Sequence, residues 1–79
     1  MRKSIRSKRH EMVAQAIGEQ RIRAGFTQYE VARRLDRHQP FMANIESGDR
    51  RIDVVELLDI AEIIDLDVPA LIGRLRATR

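Results

Sequence analysis

The sequence predicts an all-α fold, five short helices in one domain. Three observations predict it. Apolar residues recur at three- and four-residue spacing from Met12 to Leu75, and nowhere alternate as a strand requires. Glycines suited to left-handed helix ends, Gly25 and Gly48, follow two of these stretches. The chain has 79 residues, a length for one small core.

The first helix is expected from about Arg9 to Ala24, stopping at Gly25. Met12, Val13, Ala16, Ile17 and Gln20 form its inward stripe. Gly18 interrupts it at a cost of about 1 kcal/mol relative to alanine, which points to close packing against a neighbour. The second helix opens on Thr27-Gln28-Tyr29-Glu30, a capping box in which hydroxyl and carboxylate each satisfy a backbone amide. Phe26 before it is placed to staple against Val31. Val31, Ala32 and Leu35 face inward; Arg33 and Arg34 face out. Asp36-Arg37 makes a tight turn. A third helix starts near His38 or Gln39, with Pro40 in its first turn, and ends at Ser47 before Gly48. Met42 and Ile45 point to the core, with Phe41 packing partly against Ile45.

Residues 49–52 read as a loop, and Asp53 caps a fourth helix that runs to about Ile64. Val54, Val55, Leu57, Leu58, Ile60, Ala61, Ile63 and Ile64 are too many apolar residues for one stripe. A second subunit would cover the surplus; an unusually apolar monomer core is the alternative. The last helix spans about Val68 to Arg76 and carries Leu71, Ile72 and Leu75. Residues 1–10, with five Lys/Arg and no acid, read as a flexible basic N-terminal arm or a frayed first helical turn; residues 11–79 form the folded domain.

Charge is segregated. Residues 1–52 carry 12 Lys/Arg against 6 Asp/Glu; residues 53–79 carry 3 against 6. A basic front and an acidic back suit a polyanionic partner at one end, the alternative being an ordinary solvated surface. With only Phe26, Phe41 and Tyr29, the chain lacks the stacking platforms of single-strand binders. There is no cysteine, so neither disulfides nor thiolate metal sites reinforce the core, and oligomerisation is the remaining common means. A cytoplasmic location follows as an expectation. No apolar run approaches the roughly 20 residues of a membrane span, and no apolar segment follows the charged N-terminus as in a secretory signal. His10 and His38 lie on different elements without ligand spacing, so no metal or cofactor is expected. No paired acid and base, activated nucleophile or phosphate-binding glycine loop marks an enzyme.

Two short helices joined by a turn, the second with a polar outer face, are the physical recipe for a helix-turn-helix. Residues 17–64 resemble the Cro/phage-repressor-like, or XRE-like, helix-turn-helix family. The resemblance is carried by Arg21 with Gly25, Phe26-Thr27-Gln28, Val31-Ala32 with Leu35, Gln39, Ile45-Glu46 and Gly48. It implies a five-helix, lambda-repressor-like domain whose second and third helices meet DNA. Asp36 departs from the pattern, standing where the family has a left-handed glycine. His38 replaces the usual small cap, so helix three is capped by Asp36 or starts differently.

The resemblance also implies roles. Gln39 and Asn44 become base readers suited to adenine, and Pro40 an apolar contact to a thymine methyl or sugar. Gln28, Arg37, His38, Ser47, Gly48, Arg50 and Arg51 become contacts to the DNA backbone, and Gln28 also braces the recognition helix. Tyr29 either joins them or faces solvent. Arg21 and Glu46 become a partly buried salt bridge between helices one and three. Apart from the resemblance, the apolar surplus of the last two helices makes Val55, Ile60, Ile63, Leu71 and Leu75 the expected dimer interface.

The expected function is a sequence-specific, double-stranded-DNA-binding transcriptional regulator, a repressor reading the major groove as a homodimer. A phage-type repressor, a restriction-modification controller and an antitoxin all fit. The alternative is a protein-interaction module that binds a toxin or another protein, with DNA binding secondary.

Overall fold

The computed structural model describes residues 7–79. These form five helices: α1 (Lys8–Arg23), α2 (Gln28–Arg34), α3 (Pro40–Ser47), α4 (Val54–Ile64) and α5 (Val68–Arg76). There is no strand among the described residues. The all-α, five-helix expectation is met.

Each helix start has a local cause. Ser7 Oγ accepts from the His10 amide and opens α1. Residues 8–10, at the end of the basic N-terminal segment, are thus the first turn of the helix expected from about Arg9, and His10 is buried. Residues 1–6 of that arm lie outside the described residues. Thr27 and Glu30 form the expected reciprocal box on α2. Asp53 and Glu56 form a second one on α4, and Asp67 caps α5. Helix α3 has no side-chain cap. Gln39 is already in helical conformation, the Phe41 amide donates to the His38 carbonyl at 3.0 Å, and Pro40 has no amide hydrogen needing a partner.

The helix ends explain how the turns are made. Gly25, Asp36, Gly48 and Asp65 all take positive φ. At Asp36 (φ 58°) the Arg37 amide donates to Ala32 and the Asp36 amide to Arg33. This is a Schellman ending with aspartate in glycine's place. It turns the chain from α2 into α3 at a modest left-handed strain.

The core comes from all five helices. Ile17, Val31, Met42, Ile45, Ile60, Ile64 and Leu71 are its fully buried large side chains, each worth roughly 1.5–3 kcal/mol of burial. Helix α4 buries one stripe, Leu57, Ile60, Ala61 and Ile64. Ile60 and Leu71 therefore belong to the protomer's own core and are unavailable to a second subunit. Ile63 and Leu75 are partly buried against that core. Of the five residues expected at a dimer interface, only Val55 projects freely, at 66% exposure. Val54, Leu58 and Ile72 share that exposed state.

Candidate nucleic-acid interface

Helix α3 has a buried face and a free one. Phe41, Met42 and Ile45 are buried, whereas Gln39, Pro40, Ala43, Asn44 and Ser47 are exposed. The 40, 43, 44, 47 spacing puts the free residues along one side of a helix. Gln39 and Asn44, the two expected base readers, reach solvent with Pro40 between them in sequence.

The buried side is locked by a polar network. Arg21 Nε and Nη2 donate to Glu46 at 2.6 and 3.0 Å, and Arg21 Nη1 donates to the Phe26 carbonyl at 2.7 Å. Gln28 Nε2 donates to the same carboxylate at 3.0 Å. Thus α1, α2 and α3 share one ionised hub. The hydrogen bonds that Arg21 donates to Glu46 raise the arginine's pKa further, against the opposing effect of burial. Gln28 braces α3 here; its amide hydrogens are partly committed to Glu46.

Gly18 makes room for this hub. A Cβ at position 18 would stand 3.1 Å from Glu46 Oε1. Alanine would otherwise favour the helix by about 1 kcal/mol. The carboxylate cannot retreat without loosening Arg21 and Gln28, and overpacking costs about 1–3 kcal/mol. We expect Gly18→Ala to lower stability by about 1 kcal/mol net. A raised melting temperature would show that Glu46 yields.

The residues flanking α3 are cationic and are also tied down. Arg37 and Arg50 both bond Glu56, at 2.9 Å from Arg37 and at 3.0 and 2.9 Å from Arg50. Their guanidinium carbons lie 4.4 and 4.9 Å from the centroid of the Phe41 ring. Glu56 is a site residue that the sequence reading missed, although the Asp53-x-x-Glu56 spacing is a visible capping signature. Hydrogen bonds from Arg50 are the main reason its carboxyl falls from the ordinary 4.5 to about 2; the Asp53 amide and Arg37 add to the shift and burial opposes it.

That depression carries a pH dependence with a defined sign. Folding favours the ionised carboxylate, so its contribution is complete above pH 4.5 and is lost as pH falls towards about 2. Glu56→Gln should flatten this part of the acid-unfolding profile, measured as the urea midpoint at each pH. Identical slopes in the two proteins would show that Glu56 carries no such contribution.

The remaining expected backbone contacts divide. His38 and Arg51 are exposed. Ser47 is exposed, with its hydroxyl donating to the Asn44 carbonyl. Gly48 is not available. It is buried, its amide donates to Ile45, and its carbonyl accepts from His10 Nε2 at 3.0 Å. Its left-handed turn (φ 85°) shapes the loop after α3. His10 thereby has a structural partner, and His38 lies apart on the exposed surface. Among the described residues, no group of three or more His, Cys, Asp or Glu could hold a metal ion. Tyr29 is half exposed, with Arg33 5.8 Å from its ring centroid.

A short helix, a tight turn and a second helix with a solvent-facing polar side, clamped from behind and flanked by arginines, define a DNA-binding module of the regulator class. The chain belongs to the helix-turn-helix domain family, whose sequence profile matches residues 13–75. That span runs from α1 nearly to the end of α5. No curated protein matches the sequence. No helix among the described residues is long and apolar enough to cross a membrane.

Proposed function

We propose that this protein is a sequence-specific transcriptional regulator, most simply a cytoplasmic repressor, that reads duplex DNA as a homodimer. The observation that carries the reading is the division of α3. Its inner face is fixed by Met42, Ile45 and the Arg21–Glu46–Gln28 hub, while Gln39, Pro40 and Asn44 stay exposed. A rigid helix with free amide side chains suits the major groove, where Gln or Asn can bond adenine N6 and N7 in a bidentate manner. Pro40 offers an apolar contact to a thymine methyl. Arg37, His38, Ser47 and Arg51 are the candidates for phosphate, giving affinity that falls as salt rises.

In this reading two copies associate through the exposed apolar residues of α4 and α5, chiefly Val55, together with Val54 and Leu58 on α4 and Ile72 on α5. Two-fold symmetry would set the α3 helices roughly 34 Å apart, matching half-sites one DNA turn apart. The same apolar face favours one second reading, in which another protein, such as a toxin, occupies it and DNA binding is secondary.

The test is selection of purified protein on a pool of random duplexes at near-physiological salt. A two-fold symmetric motif is expected. Asn44→Ala should relax preference at one position per half-site, at a cost of about 1–3 kcal/mol. Enrichment of nothing, with binding only at low salt, would overturn specific readout and favour the protein-partner reading.

A further inference from the structure

Arg37 and Arg50 stand on either side of α3 in sequence, yet both converge on one carboxylate. Arg37 Nη2 and Arg50 Nη2 each donate to Glu56 Oε2, and Arg50 Nη1 donates to Oε1. The Asp53 amide donates to Oε1 as well, at 3.1 Å, which fixes Glu56 in the first turn of α4. Both guanidiniums also lie over Phe41, a buried ring. Two cations over one ring repel each other, and the carboxylate between them offsets that repulsion.

The two arginines are not committed equally. Arg50 gives hydrogens to both Glu56 oxygens and to the Arg51 carbonyl. Arg37 gives one hydrogen to Glu56, and its side chain remains 41% exposed. A guanidinium has five N–H donors, so most of those on Arg37 are still open to a phosphate.

We propose that Glu56 is a positioning residue for DNA binding: with Arg50 it forms a brace that holds Arg37 over Phe41, beside the start of α3, as a preset contact for one backbone phosphate. The inference rests on the DNA-binding reading and divides the labour within it. Arg37 touches the phosphate, and Arg50 acts through Glu56. Holding a long side chain in its bound pose before DNA arrives removes an ordering cost from binding. The opposite role, a carboxylate that masks the arginines and must be displaced, would require breaking the bidentate Arg50 pair and the α4 cap together.

The experiment measures affinity for a mixed-sequence duplex against salt concentration, using the full chain. Four proteins are compared: wild type, Arg37→Ala, Glu56→Gln and the double variant. Each phosphate contact contributes about 0.9 to the slope of log affinity on log salt. Arg37→Ala and Glu56→Gln should each weaken binding about tenfold and reduce the slope by about 0.9, and the double variant should be no worse than Arg37→Ala alone. A purely structural role would leave the slope unchanged. Tighter binding by Glu56→Gln, an undiminished slope, or additive losses would overturn the proposal. If Glu56→Gln is unfolded at the assay temperature, wild-type protein decides through the NMR signals of the Arg37 guanidinium. Distinct, slowly exchanging Nη signals are expected both free and on DNA; an averaged signal in the free protein would overturn the brace. Wild type that binds no duplex would overturn the DNA-binding reading and this inference together. Normal wild-type binding with an unaltered Glu56→Gln slope would overturn this inference alone.

Discussion

Glu46→Ala is expected to lower folding stability by about 3 kcal/mol, the lower end of the range for breaking a buried ion pair. The carboxylate accepts two hydrogen bonds from Arg21 and one from Gln28. The side chains of Arg21 and Glu46 are only 12% and 11% exposed. Removing the carboxylate strands a largely desolvated guanidinium, with the Phe26 carbonyl as its one remaining partner in this network. Two effects oppose the loss. Alanine is the better helix former, by a few tenths of a kcal/mol. Glu46 also lies in the last turn of α3, where the helix dipole disfavours a negative charge by about 0.3–1 kcal/mol. Neither approaches the cost of an uncompensated buried charge.

A domain of this size loses roughly 4–8 °C of melting temperature per kcal/mol. The expected drop is therefore on the order of 12–24 °C, readable by circular dichroism. Glu46→Gln, which keeps the shape and one acceptor, should fall between the two. An apolar pair, Arg21→Met with Glu46→Leu, should recover much of the loss, because the damage comes from stranding one charge rather than from losing attraction. A melting temperature unchanged by Glu46→Ala would mean that the hub does not hold the reading helix in place.

What could be read in advance follows from how local each feature is. Thr27 and Glu30 are three residues apart and declare their capping box directly, as Gly25 and Gly48 declare helix ends. Asp36 stood out as an aspartate at a left-handed position, and its φ of 58° is the physical content of that departure. The Arg21–Glu46 contact joins residues 25 apart on different helices. No spacing rule reaches that far, and family resemblance alone pointed to it. At Gly48, which the resemblance assigned to the DNA backbone, amide and carbonyl both bond within the protein, a pairing with Ile45 and His10 that no local spacing announces. Counting apolar residues on α4 correctly indicated a surplus but not its position. Ile60 faces the core and Val55 faces out, because side chains five residues apart on a helix lie on different faces.

Val55→Asp should therefore separate the two halves of the proposed dimer while sparing the protomer. At 66% exposure Val55 contributes little to the protomer's own core, so its replacement should change monomer stability by about 0.5 kcal/mol or less. In a two-fold interface the substitution acts twice, bringing two carboxylates to an apolar patch whose nearby residues Asp59 and Glu62 are already acidic. Burying an unpaired carboxylate costs several kcal/mol, and two of them would shift a micromolar dimer far beyond working concentrations. Sedimentation equilibrium should show a monomer, and affinity for a symmetric site should fall by about a hundredfold or more as the second half-site contact is lost. Half-site binding through α3 should persist at low salt, since Gln39 and Asn44 stand on the exposed side of a different helix from Val55. If wild type and Val55→Asp sediment alike as monomers, the exposed apolar face serves another partner. If both are dimers, the two-fold contact lies elsewhere on the molecule, and Ile72 on α5 becomes the next position to charge.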